Sequence, residues 1–279
     1  MTLPLYGLFA LLIVAFAVFR LFFYRPWRRR RVSQQPFPQE WDRLLADDWP
    51  LYRRLSGEQR DRLQQRILIF LDEKTFYGCA GQEVTDHHRC LIAAQACLLT
   101  LNMPTDSYDA LQSILLYPGA YRTPVVDVDE SGVRMEETHA REGESWENGR
   151  IVLSWQDVLH GAEDDHDGFN LVLHEFAHQL DAASGSANGA PVLHDSETAK
   201  HWYQAFSKAF KKHCHEVEHH HHTLIDPYGA TNPAEFFAVL TELFFEKPGK
   251  LERVHPELFE LLADFYRIDP REWEESFHP

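Results

Sequence analysis

The chain has 279 residues, 44% of them hydrophobic and 13% aromatic, which is enough for a globular protein with a full core in one or two domains. Its formal net charge is -16, from 43 acidic against 27 basic side chains, and a surface of that sign argues against a nucleic-acid partner. Cys79, Cys90, Cys97 and Cys214 form no CxxC pair and read as reduced thiols.

Leu3 to Tyr24 is apolar except for Arg20, a run of about the 20 residues needed to cross the hydrocarbon core. Arg25, Arg28, Arg29, Arg30 and Arg31 follow, with Tyr24 and Trp27 where interface aromatics sit. A cleaved signal peptide carries its charge before the apolar run and small residues after it; here the order is reversed. The expectation is a retained single-pass transmembrane helix over residues 1–24 and a basic juxtamembrane linker over 25–38. By the positive-inside rule the rest faces the cytoplasm from the inner membrane, which agrees with reduced cysteines.

A domain over 39–270 and a tail over 271–279 complete the chain. Trp41 to Leu55 reads as short helical pieces broken at Pro50. Ser56-Gly57-Glu58 opens a helix to Leu71, with Leu63, Ile67 and Phe70 on one side. Thr75 to Cys79 is a short strand candidate. Thr85-Asp86 caps a helix to Leu101 whose apolar face is Leu91, Ile92, Ala94, Cys97 and Leu98. Ser113 to Tyr117 and Thr123 to Val128 are strand-like, with Pro118-Gly119 between them. Asp129 to Gly149, polar and acid-rich, reads as a long loop over a sheet edge. Ile151 to Trp155 is a strand, Gln156 to His160 a short helix, and Ala162 to Gly168 an acidic turn with a solvated His166.

The next stretch, Leu171-Val172-Leu173-His174-Glu175-Phe176-Ala177-His178-Gln179-Leu180-Asp181, contains HExxH. On a helix His174 and His178 share a face, and Glu175 is rotated away from them yet near enough to act on a metal-held water. With 17 His in the chain the bare pattern carries less weight than usual, but its apolar setting restores it. Two imidazoles and a carboxylate buried among Phe176, Ala177 and Leu180 are costly unless something pairs with them, and one Zn2+ per chain does so.

Ala183 to Pro191 is a loop. Glu197 to Val217 is helical, with Trp202, Phe206 and Phe210 at spacing four, and it ends in a histidine-rich tract through His219 to His222 that reads as a solvated loop rather than a metal gatherer. A catalytic zinc needs a third protein ligand, and the best source is the apolar helix opened by Asn232-Pro233. Glu235 and Glu242 lie seven apart on one face of it. Glu235, one turn in, is placed to aim at the metal; Glu242 orients a ligand or pairs elsewhere.

The run Leu-His-Glu-Phe-Ala-His-Gln-Leu-Asp, followed about 60 residues later by Asn-Pro-Ala-Glu-Phe-Phe-Ala-Val-Leu-Thr-Glu-Leu-Phe-Phe, resembles the Mlc titration factor A family of bacterial zinc peptidases. The stretches Ile151 to Trp155 and Gly168-Phe169-Asn170 fit it as well, and the resemblance covers Pro38 to Pro270. It implies a gluzincin-like core related to that of anthrax lethal factor, with His174, His178 and Glu235 as zinc ligands and Glu175 as general base. It also implies Tyr228 as the tyrosine that stabilises the oxyanion, and peptide hydrolysis, including aminopeptidase-type activity, together with binding of the glucose repressor Mlc. Asp181, three residues after His178, is expected to hold a histidine ring or to cap the helix end. The membrane anchor and the histidine tract depart from the family pattern.

The fold class expected is therefore α+β and predominantly helical, a zincin-like core with a small mixed sheet behind one transmembrane helix. The function expected is a membrane-anchored zinc peptidase acting on peptide or protein substrates. A zinc-containing module that sequesters a transcriptional regulator is the main rival, and a metal-handling protein using the histidine tract is a weaker one. In the zinc-peptidase reading, Ile151 to Trp155 supplies the edge on which an extended peptide pairs, or else it is an internal core strand. His139 is a candidate for blocking the open metal position, set against a solvated loop histidine.

Overall fold

The computed structural model describes Phe9 and residues 23–119, 121–128, 134–141, 143–146, 149–185 and 187–274, with backbone alone over the strands between 121 and 146. The expected anchor over residues 1–24 lies almost wholly outside them. Among the described residues no helix is long and apolar enough to cross a membrane.

The stretch expected as a linker begins instead with helix α1 (Tyr24–Ser33). Its arginines find carboxylates on the domain: Arg25 meets Asp109 at 2.8 Å, Arg28 meets Asp72 at 2.8 Å, and Arg29 grips Glu73 through two bonds of 2.8 Å. Sequence pattern gives no sight of these partners, which lie 44 to 84 residues away. Planar bidentate pairing of this kind fixes direction as well as contributing energy, so α1 is docked on the domain.

Helices α2 (Gln39–Asp48) and α3 (Pro50–Arg54) lead to α4 (Gly57–Glu73), whose start is set by a capping box between Ser56 and Gln59. Leu63, Ile67 and Phe70 of α4 are buried, as their spacing predicts. They pack on α5 (Asp86–Leu99), which is buried from Cys90 to Leu99 and runs through the middle of the core.

Strands β1 (Thr75–Gly78), β2 (Ser113–Tyr117), β5 (Gly143–Trp146) and β6 (Arg150–Ser154) form one sheet in the order β1-β2-β6-β5. The first three in that order are parallel and β5 is antiparallel to β6, so the small sheet is mixed. Strands β3 (Tyr121–Val128) and β4 (Arg134–Arg141) pair antiparallel as a separate two-stranded sheet. The stretch 129–149, expected as one long loop, therefore contains two strands. Its glycines and acids hid them, because strand pairing depends on partners that composition does not reveal.

Beyond the sheet come α6 (Trp155–Glu163), α7 (Leu171–Ala182), α8 (Ser196–Glu218) and a 3-10 turn, Pro227–Ala230. Then follow α9 (Pro233–Glu246), α10 (Pro248–Val254), α11 (Pro256–Tyr266) and a second 3-10 turn, Pro270–Trp273. Asn170 caps α7 and Asn232 caps α9, with Pro233 at the first helical position. Such caps satisfy otherwise orphaned N–H groups. The expected tail is partly built in: Trp273 is buried, and its indole N–H donates to Gln59 Oε1 at 3.1 Å.

One joint ties α7 to α9. Asp181, at the end of α7, accepts the Gly189 N–H at 2.7 Å, and Trp202 of α8 donates to the Gly189 carbonyl at 2.9 Å. Gly189 has φ 75°, and a Cβ there would lie 2.3 Å from the Pro233 carbonyl at the start of α9. Gly185 also has positive φ (102°) but open space around it. Gly185→Ala is therefore expected to lose about 1 kcal/mol through backbone strain alone, and Gly189→Ala about 3 kcal/mol or more because the clash adds to it. Urea unfolding of the two variants beside the wild type checks this; equal losses would contradict it.

Candidate metal centre

Helix α7 buries Leu171, Val172, Leu173, Phe176, Ala177 and Leu180 against the core. That fixes its rotation and turns His174 and His178 toward α9, where Glu235 waits one turn from the N-cap. His174 Nε2 lies 2.9 Å from Glu235 Oε2, His178 Nε2 lies 3.3 Å from the same oxygen, and the two Nε2 atoms are 3.2 Å apart. Both imidazole side chains are 12% exposed. Among the described residues this is one of two groups able to offer three converging ligand atoms to an ion.

The donor set fits a metal. Donors held at about 2.0–2.1 Å by a tetrahedral zinc stand about 3.3 Å from one another, close to the three separations here. The chemistry agrees. His174 Nδ1 lies 2.7 Å from Glu242 Oε1, so this nitrogen carries the proton and donates it to the carboxylate. In the neutral ring Nε2 is then a lone pair, aimed at a carboxylate oxygen and a second imidazole nitrogen. Such a convergence of acceptors is repulsive unless positive charge sits among them. Burial disfavours an imidazolium at His174, but the charge of Glu242, the bonds to Glu235 and Glu242 and the charge of Glu175 outweigh it and raise its pKa well above the ordinary value. Burial likewise pushes Glu235 up, yet the two imidazoles hold its carboxyl down at about 2. The site as a whole favours a cation.

The carboxylates of α9 do more than face the metal. Glu242 Oε1 receives His174 Nδ1–H, while Oε2 accepts the Asn170 N–H at 2.6 Å. One buried side chain thus holds both the first imidazole and the first turn of the helix that bears it. Asn170 Nδ2 in turn donates to Gln95 Oε1 at 3.0 Å and to the Gly161 carbonyl at 2.7 Å, which links α7 to α5 and α6. A turn further along α9, Glu246 Oε2 accepts the Gly168 N–H at 2.8 Å. Sequence reasoning missed Gln95 and Glu246, and it named Asn170 only within a family stretch, without this role. For Glu246 a signal existed: a third carboxylate four residues after Glu242 in the same apolar helix.

Glu175 is buried, at 4% exposed, beside the first imidazole. Tyr228 is 55% exposed on the 3-10 turn, with its ring centroid 6.0 Å from that of His174. Its position is set by Asp226, whose Oδ1 accepts the Tyr228 N–H at 2.8 Å, and by His213 of α8, whose Nε2–H donates to the Asp226 carbonyl at 3.0 Å. Asp181 makes its hydrogen bond to Gly189 rather than to an imidazole; the chain turns back at Gly189 and brings an N–H to it first. Strand β6 is internal, between β2 and β5, so it is the core strand of the two alternatives, and among the described residues β5 is the end strand beside it. The side chain of His139 lies outside the described residues. His166 sits at the surface against Asp165 at 3.1 Å, and His219 to His222 are exposed and away from α7 in the chain path.

A mostly helical fold around a His-His-Glu donor set is the arrangement of a metal-dependent hydrolase of the metallopeptidase class. Residues 24–267 match the family described as glucose-regulated metallo-peptidase M90, and the chain belongs to that family. An uncharacterised protein of Synechocystis sp. is 40% identical over 245 residues, 88% of this chain and 89% of that protein. Proteins named Mlc titration factor A are similar too: that of Klebsiella pneumoniae at 33% identity over 248 residues and that of Salmonella agona at 32% over 249, each covering 88% of this chain and 91% of the relative. The family implies a metal, and the residues above fit one.

Glu242→Gln removes the acceptor for one of two donors and is expected to weaken zinc binding by about 10–100-fold with the fold kept; competition against a chelator measures it, and unchanged affinity would contradict the role given to Glu242. A second expectation concerns pH. Burial, together with Asp167 and Glu242, raises the Glu246 pKa well above 4.5. The folded state therefore binds this proton more tightly than the unfolded chain. Its contribution is full below about pH 4.5 and is lost as pH rises through the folded value. The urea midpoint of the wild type should fall relative to that of Glu246→Gln between pH 5 and pH 8, and a constant difference would contradict it.

Proposed function

We propose that this protein is a zinc peptidase of the HExxH type. The observation that carries the reading is the convergence of His174 Nε2, His178 Nε2 and Glu235 Oε2 within 2.9 to 3.3 Å, with buried Glu175 beside the first of them. Those three residues would hold the ion. When bound, zinc supplies Lewis acidity that polarises a water and the scissile carbonyl.

The chain's own residues do the rest. Glu175 takes the proton from water as it adds to the peptide carbonyl, and returns it to the leaving nitrogen as the C–N bond breaks. Tyr228, exposed and within reach of the His174 side of the site, donates its O–H to the developing oxyanion. Strand β5, at the end of the sheet among the described residues, offers an edge on which an extended substrate can align. Glu242 and Asn170 keep the first imidazole from rotating during this work.

In the same reading the apolar run before α1 anchors the protein in the inner membrane with the peptidase domain in the cytoplasm. Docking of α1 on the domain supports a fixed rather than a swinging attachment. The name of the relatives supports a second reading, in which the protein binds Mlc or a counterpart of it and hydrolysis is secondary.

The test is hydrolysis of a panel of aminoacyl and internally quenched peptides by the wild type, Glu175→Gln and Tyr228→Phe. Glu175→Gln is expected to keep its zinc and lose about 10²–10⁴ in kcat/KM; Tyr228→Phe should lose about 10² in kcat with KM little changed. A zinc-loaded wild type no more active than Glu175→Gln on every peptide would overturn the peptidase reading and leave regulator binding in its place.

A further inference from the structure

The last turn of α8 carries a second donor cluster, remote in sequence from the HExxH helix. His215, Glu218 and His219 each offer a ligand atom, and these atoms lie within 4.8 Å of one another. All three residues are exposed, so an ion could reach them without opening the fold.

Several independent features prepare the cluster for a cation. The two histidines are one helical turn apart and share a face. His219 Nδ1–H donates to the His215 carbonyl at 2.8 Å, which fixes the tautomer and leaves Nε2 as a lone pair for a metal, in the manner of a ligating histidine whose other nitrogen is held. The neighbouring carboxylate, Glu216, is turned to Lys212 at 3.3 Å, so Glu218 is the one that serves the histidines.

The helix end adds its own charge. The His221 N–H bonds to the Glu216 carbonyl and the His220 N–H to the Val217 carbonyl, a Schellman closure. The residue at its left-handed position is His220, with φ 55°, where glycine is the unstrained choice. The cluster lies at the C-terminal, negative end of the helix dipole, which favours positive charge. Two imidazoles with a carboxylate suit borderline divalent ions such as Zn2+, Ni2+ and Cu2+ rather than Mg2+ or Ca2+.

We propose that His215, Glu218 and His219 form a second, surface metal site for a zinc-class divalent cation. Its place in the chain suggests its effect. The segment after His219 runs directly to Asp226, which positions Tyr228 and is itself bonded from His213 of the same helix. An ion at the end of α8 braces the start of that connection, which adds to the stability of the helix end while Asp226 and His213 go on positioning Tyr228. The proposal does not depend on the catalytic reading, because it concerns ions held elsewhere.

The test counts zinc on the full-length chain by equilibrium dialysis. The wild type is expected to hold two per chain. His215→Ala/His219→Ala should hold one and keep its hydrolytic activity per bound zinc within about twofold, while His174→Ala/His178→Ala should hold one at the other site. The control His220→Ala/His222→Ala should still hold two, which separates a built site from a loose histidine tract. Copper added to the His174→Ala/His178→Ala protein should show nitrogen coordination by electron paramagnetic resonance, lost on further change of His215 and His219. A zinc count that His215→Ala/His219→Ala leaves unchanged, or a His174→Ala/His178→Ala protein that holds no zinc, would overturn the proposal.

Discussion

The hydrogen bond between His174 and Glu242 is the constraint from which the centre follows. Because Glu242 accepts the Nδ1–H, the neutral ring presents its Nε2 lone pair toward Glu235 and His178, an arrangement that calls for positive charge, a proton or a metal ion, among the three. The same carboxylate accepts the first N–H of the α7 cap. A metal ligand, the start of its helix and the helix opposite are thereby fixed through one side chain. Further along, Glu246 holds the turn into α7 through Gly168, and at the far end Asp181 and Gly189 hold the exit from α7 against Pro233. Helices α7 and α9 are clamped at both ends with the donor set between the clamps. Preorganisation of this sort is what a metal site needs in order to keep its geometry through a reaction.

Much of this was legible in the sequence because it is local. His174 and His178 are brought together by helical period alone, and Asn232-Pro233 marks the start of α9 by cap chemistry. Glu235 is the first carboxylate after that cap. The bonds that position these groups were not legible. Glu242 meets Asn170 72 residues away and Glu246 meets Gly168 78 residues away, pairings that exist only once α7 and α9 pack side by side. Asp181 shows the same limit in reverse. Its spacing from His178 pointed to the imidazole, and a backbone N–H from a turn no pattern predicts took the bond instead.

The same contrast runs through the fold. Buried faces of α4, α5 and α8 follow their apolar spacing, down to the stack of Trp202 on Phe206 at 4.0 Å. The strands β4 and β5 did not, because their segment is acidic and glycine-containing and its strand character comes from pairing with β3 and β6. Helix α1 was hidden behind its arginines, which suggested a solvated linker until Asp72, Glu73 and Asp109 supplied partners. An acidic domain surface thus receives the basic segment that precedes it, a match between the two halves of the charge pattern.

The most direct test of the account is anomalous diffraction at the zinc edge from crystals of the zinc-loaded protein. A peak is expected among His174 Nε2, His178 Nε2 and Glu235 Oε2, at about 2.0–2.2 Å from each, with the His174–Glu242 bond intact. Zinc-loaded crystals with no peak at that point, or with His174 rotated away from Glu242 to reach the ion, would contradict it.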